Sequence, residues 1–266
     1  LLSVYAGIQI GTSLLPKQLP PEYARYVPYV GAALVLIVGF LVYQALVLWL
    51  ERRWAKEIAP APGIPLVFGG AVFGFALFAA VFGILWGLRV AHYDGWRGYE
   101  GLALPLLLGI GAGVGEELIF RGGVFRILED SFGSFIALLL SSALFGFVHA
   151  GNPGATVISS VAVGLEAGLL LGAAYMAARN LWLPIGVHIG WNFTEGGIFG
   201  AAVSGGDQGG LLKTSFSGAE LLSGGKFGPE ASLVAVGVCL AGALFFFWIA
   251  ARRGQWKPLS FRLLLD

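Results

Sequence analysis

Seven runs of about twenty apolar residues dominate the chain: Val27 to Leu50, Ile64 to Leu88, Leu102 to Leu128, Phe132 to Ala150, Thr156 to Ala178, Leu181 to Val203 and Ser232 to Ala251. About 20 residues at a rise of 1.5 Å cross a hydrocarbon core of roughly 30 Å, and a helix satisfies its own backbone hydrogen bonds there. The expected fold is therefore all-α, a polytopic transmembrane bundle of seven to eight helices around an intramembrane polar cavity. Only 12% of the 266 residues are charged, about half of the roughly 25% found in soluble domains. A net charge of +1 with no basic patch excludes a nucleic-acid binder. The apolar content excludes a disordered chain, and the single cysteine, Cys239, excludes a disulfide scaffold.

The chain opens on Leu1, as expected of a sequence whose start lies further upstream, and Leu1 to Leu15 reads as the end of an eighth span or as an interfacial helix. The whole of 1–266 reads as one domain, with a polar core over about 102–203 and an extramembrane loop, rich in Gly and Ser, over about 204–230. Lys and Arg in alternate connections number ten (Arg52, Arg53, Lys56, Arg121, Arg126, Arg179, Arg252, Arg253, Lys257, Arg262) against six. By the excess of basic residues in cytoplasmic loops, the C-terminus is expected in the cytoplasm. Glycine supplies 42 residues, more than twice the usual roughly 7%. Gly164, Gly168 and Gly172 form a small-residue stripe, and Gly109 to Gly115 are equally crowded, both of which suit close helix approach in lipid.

Ionisable groups within apolar spans are expensive and mark candidate sites. They are Glu116, Glu117, Arg121, His149, Glu166, His188 and Glu195, with Asn192 as an uncharged companion. Glu117 and Arg121 stand four residues apart, the spacing at which a carboxylate and a guanidinium meet on one helix face. Glu116 points elsewhere and has no such partner. A hairpin centred between Phe132 and Gly133 sets Glu116 and His149 level with each other, so the two form a candidate acid–base unit. His188 and Asn192, also four apart, share a face, where they could hold a developing oxyanion or serve as interhelical glue. Glu166 and Glu195 read as structural or pathway groups rather than direct participants. Ser141 and Ser142 lie about two turns from His149, which disfavours a serine nucleophile.

In order, Glu116-Glu117-x-x-x-Arg121, Phe145-x-x-x-His149 and His188-x-x-x-Asn192 on successive apolar helices resemble the CAAX prenyl endopeptidase and bacteriocin-processing family of intramembrane proteases. The resemblance covers about 102–203. It implies peptide-bond hydrolysis, with Glu116 as the base that activates water, His149 assisting, His188 and Asn192 stabilising the oxyanion, and Glu117 with Arg121 in support. A carboxylate and water suffice for such chemistry, so no cofactor is expected. Zinc held by the glutamates and histidines is the rival, weakened by the absence of a helical His-Glu-x-x-His signature.

The implied partners are a peptide or membrane-protein substrate, lipidated or not, and the lipid bilayer, with no nucleic acid. The implied location is the cell membrane in a prokaryote or the endoplasmic reticulum membrane in a eukaryote. The competing functions are an ion- or proton-coupled carrier and a non-catalytic membrane-protein scaffold. One mismatch stands against the site. His188 lies about eight residues past the Arg179–Asn180 connection while Glu116 and His149 lie about 16 from theirs, an offset of roughly 12 Å.

Overall fold

The computed structural model describes residues 1–61 and 63–260; Arg262 of the basic count lies outside them. Helix α1 (Leu2–Leu14) precedes α2 (Val27–Glu51), α3 (Gly63–Gly87), α4 (Ala103–Phe132) and α5 (Ser134–Val148). Then come α6 (Val157–Ala178), α7 (Trp182–Asn192, extended by a π-helical turn over Phe193–Ile198) and α8 (Leu233–Arg252). Among the described residues, α2 to α6 and α8 are the six helices long and apolar enough to cross a membrane. The seventh apolar run, α7, is shorter and threads the interior of the bundle, with eight of its eleven α-helical residues buried. The chain is a multi-pass membrane protein.

Close approach of α3 and α7 seats that inner helix. A Cβ added at Gly70 or Gly74 would come within 2.5 and 2.1 Å of the Leu183 and Val187 carbonyl oxygens. One at Gly186 or Gly190 would come within 2.3 and 2.1 Å of the carbonyls of Val67 and Ala71. Both partners must be glycine for the backbones to meet, which is how small residues drive helix association where lipid offers no hydrophobic gain. The stripe at Gly164, Gly168 and Gly172 packs against α5, at Ser142 and Leu138.

The α4–α5 hairpin turns where the sequence places it. Helix α4 ends at Phe132, and Gly133 takes the positive φ of 83° that caps it. Arg121, counted above among the connections, lies instead within α4 and is 1% exposed.

The segment 204–230 is ordered. Leu212–Phe216 (β2) pairs antiparallel with Ala91–Trp96 (β1), adding a two-stranded sheet to the helical bundle. Ser223, Phe227 and Glu230 are buried. The order of this segment rests on glycine turns and side-chain to backbone hydrogen bonds, such as Ser204 to Glu230, so it carries no periodic apolar pattern for a sequence reading to detect.

Candidate active site

Phe145 lies at the centre of the site. Its ring, 1% exposed, carries the Arg121 guanidinium 4.6 Å from its centroid, packs against the His149 ring at 4.6 Å and meets the His188 ring edge-on at 6.4 Å. The Phe145 carbonyl accepts a 2.7 Å hydrogen bond from Nδ1 of His149, four residues on. A carbonyl only accepts, so the proton of neutral His149 sits on Nδ1 and Nε2 is left as an acceptor. Nε2 lies 3.9 Å from Glu116 Oε2. That oxygen is buried without a hydrogen-bond partner among the described residues, while Oε1 accepts a 3.4 Å hydrogen bond from Tyr5.

Glu117 is fully buried and engaged through one oxygen, its Oε2 being without a hydrogen-bond partner among the described residues. Its Oε1 takes Arg121 Nη1 at 2.9 Å and His188 Nδ1 at 3.0 Å, and Arg121 Nη2 donates onward to the carbonyls of Ala167 and Gly168. Glu117 therefore fixes the His188 ring, with Nδ1–H donating to the carboxylate and Nε2 without a partner among the described residues, and Arg121 fixes Glu117. Asn192, 8% exposed, lies one turn beyond His188, and its amide has no hydrogen-bond partner among the described residues. His149, His188, Asn192, Glu166, Ser204 and Glu230 line one cavity of about 30 Å³, large enough for a water molecule.

The expected depth mismatch does not keep His188 from Glu117. His188 reaches the site, its Nδ1 lying 3.0 Å from Glu117 Oε1, and Arg179 at the α6–α7 connection pairs with Glu129. Three π-helical segments, Leu118–Phe125, Gly164–Gly168 and Phe193–Ile198, begin beside Glu117, around Glu166 and after Asn192. Such wide turns recur at functional sites.

All six motif residues thus converge around Phe145. No group of three or more His, Cys, Asp or Glu among the described residues is arranged to hold a metal ion. Three residues with a polar contact to the site have no signal in the sequence: Tyr5 on the short α1, and Ser204 and Glu230 in a segment that reads as a loop.

Residues 98–194 match the family model for Type II CAAX prenyl endopeptidase Rce1-like proteins. This is the family that the motif order resembles, and the matched segment holds Glu116, Glu117, Arg121, His149, His188 and Asn192 while leaving out Tyr5, Glu195, Ser204 and Glu230. A Bacillus subtilis (strain 168) protein named "Putative membrane peptidase YdiL" is 31% identical over 93 residues. The alignment covers 34% of this chain and 36% of the length of that relative. No solved structure matches the chain.

Proposed function

We propose that this protein is an intramembrane endopeptidase that hydrolyses a peptide bond with water activated by Glu116. The observation that carries the reading is the pair of facing acceptors, Glu116 Oε2 and His149 Nε2, 3.9 Å apart. Two acceptors cannot bond each other directly, and a water molecule donating to both satisfies them. The family match and the name of the Bacillus relative support peptide hydrolysis as the reaction.

In this mechanism Glu116 takes a proton from the water while His149 orients it. Protonated on Nε2, His188 donates to the developing oxyanion together with the Asn192 amide, and Glu117 stabilises the imidazolium so formed. Arg121 and Glu117 position His188 rather than touch the substrate. The route uses no metal. The substrate class is a peptide or membrane protein, lipidated or not, presented from the bilayer. With Arg121 removed from the count of connection residues, the basic excess still assigns the C-terminus to the cytoplasm.

The test is cleavage by the full chain in lipid vesicles, with a panel containing a farnesylated Cys-terminal tetrapeptide probe and a single-span membrane protein. Wild type is expected to cleave at least one of them, and Glu116→Gln to be slower by about 10²-fold or more. Equal cleavage by both would remove Glu116 as the base. Activity is expected to survive exhaustive chelation, and a loss that only zinc restores would overturn the metal-free route.

A further inference from the structure

Hydrolysis requires a proton on the departing amine nitrogen, and three buried carboxylates beside the cavity have no role in the steps above. Glu166, Glu195 and Glu230 are 3%, 0% and 3% exposed. Glu195 Oε2 accepts from Trp191 Nε1 at 3.1 Å and its Oε1 from the Glu230 backbone N–H at 3.3 Å. Glu230 Oε1 accepts from both the N–H and the hydroxyl of Ser204, at 2.8 and 2.9 Å. Glu166 Oε2 accepts from the Cys239 thiol at 3.4 Å.

None of the three has a Lys or Arg in ion-pair contact among the described residues. The charged or titratable groups facing them are His149 toward Glu230, Arg121 and Cys239 toward Glu166, and the carboxylates themselves. Arg121 is already matched by Glu117. Three carboxylates so placed cannot all ionise, and at least one holds a proton. Burial pushes the Glu230 carboxyl above the usual carboxylate range, against the hydrogen bonds that favour its charge. A second observation points to a ligand here. Glu166 and Glu230 share the cavity wall with His188 and with Asn192, whose amide lacks a protein partner among the described residues.

We propose that Glu230, drawing on a proton shared with Glu195 and Glu166, is the acid that protonates the amine leaving group. The inference rests on the hydrolytic reading. As the tetrahedral intermediate collapses, the carbon–nitrogen bonding pair stays on nitrogen, nitrogen takes the Glu230 proton, and the O–H pair remains on the Glu230 carboxylate. The proton that Glu116 removed from water is equivalent to the one consumed, and its return through the cavity restores Glu230. Water adds across the peptide bond with no other reactant.

The experiment compares a farnesylated tetrapeptide amide probe with the same probe carrying an ester at the scissile bond, using the full chain in vesicles. An alkoxide leaves with far less need of a proton than an amine. Glu230→Gln is expected to lower kcat on the amide by about 10²-fold at unchanged KM, to leave ester cleavage near wild type, and to remove the alkaline limb of the amide pH profile. Glu116→Gln is expected to slow both probes. Equal slowing of amide and ester by Glu230→Gln would show a structural role, and an unchanged amide rate would remove Glu230 as the acid; either overturns the proposal. Difference infrared spectroscopy reads the shared proton independently of turnover. A protonated-carboxyl band at neutral pH is expected in wild type and is expected to be lost in the triple Gln variant of Glu166, Glu195 and Glu230, and its absence from wild type would sink the idea. If wild type and Glu116→Gln cleave equally, the hydrolytic reading fails first, while the infrared result still decides whether the cluster holds a proton.

Discussion

Buried carboxylates occur at both ends of this bundle, and the two ends treat them differently. Around the connections at 52–58, 133, 179–181 and 253–257, each is matched by cations. Glu57 takes both Arg53 Nη groups at 2.9 and 3.0 Å and lies 3.6 Å from Arg126 Nε. Glu129 takes Arg179, Lys257 and the Ser134 hydroxyl. Toward the other end, Glu166, Glu195 and Glu230 receive a thiol, an indole N–H, backbone N–H groups and a hydroxyl, but no cation among the described residues. A carboxylate beside arginine keeps its charge and fastens elements together; one that meets only neutral donors and other carboxylates holds a proton. The first kind makes structure, while the second is suited to proton transfer.

Four experiments sharpen or break this division. Arg121→Ala strands Glu117 as an uncompensated buried charge and is expected to lower unfolding stability in detergent by about 3–5 kcal/mol; wild-type stability would place Glu117 with the protonated set. Glu129→Gln leaves Arg179 and Lys257 facing a neutral amide, with an expected loss of about 1–3 kcal/mol by the same measurement.

The third experiment uses acid. Burial works to raise the Glu57 carboxyl, but the hydrogen bonds from Arg53 and Tyr43 outweigh it and hold the group below its ordinary value of 4.5. Its stabilisation is therefore present above pH 4.5 and is lost as pH falls through the lowered value. Glu230, raised by burial, has the opposite sign, its contribution declining as pH rises above 4.5 toward its folded value. A midpoint-against-pH series for Glu57→Gln should lose part of the acid-side slope, and an unchanged slope would break the assignment. The smallest expected effect is that of Glu195→Gln. If Glu195 already carries the shared proton, a neutral amide of similar shape should change stability by about 0.5 kcal/mol or less, and a loss as large as that at Glu129 would mean that Glu195 is ionised.

Much of the site was legible because helical geometry is periodic. The Glu116–His149 pairing follows from counting outward from the Phe132–Gly133 turn, and the Glu117–Arg121 contact from four-residue spacing. His188 joining Glu117 was not legible, since counting residues from the Arg179–Asn180 connection set it too shallow. The contact joins side chains of different helices, which residue counts along each helix do not encode. Nor was the glycine interlock at Gly70, Gly74, Gly186 and Gly190 legible, because it depends on which helix faces which.

The sequence by itself determined the solvent, the number of apolar runs, the turn register of α4 and α5, and the few polar residues able to carry chemistry. These are local matters, fixed by hydropathy over about 20 residues and by the 3.6-residue turn. Beyond Glu117 with Arg121, only the tertiary structure decided which carboxylates meet a cation and which meet one another. It folded Ser204 and Glu230 back onto the cavity and brought Tyr5 to Glu116 across 111 positions of chain. The physical reason is that, apart from a same-helix pair such as Glu117 with Arg121, whether a buried carboxylate holds a charge or a proton is set by neighbours from other helices and loops, which spacing along one helix does not encode.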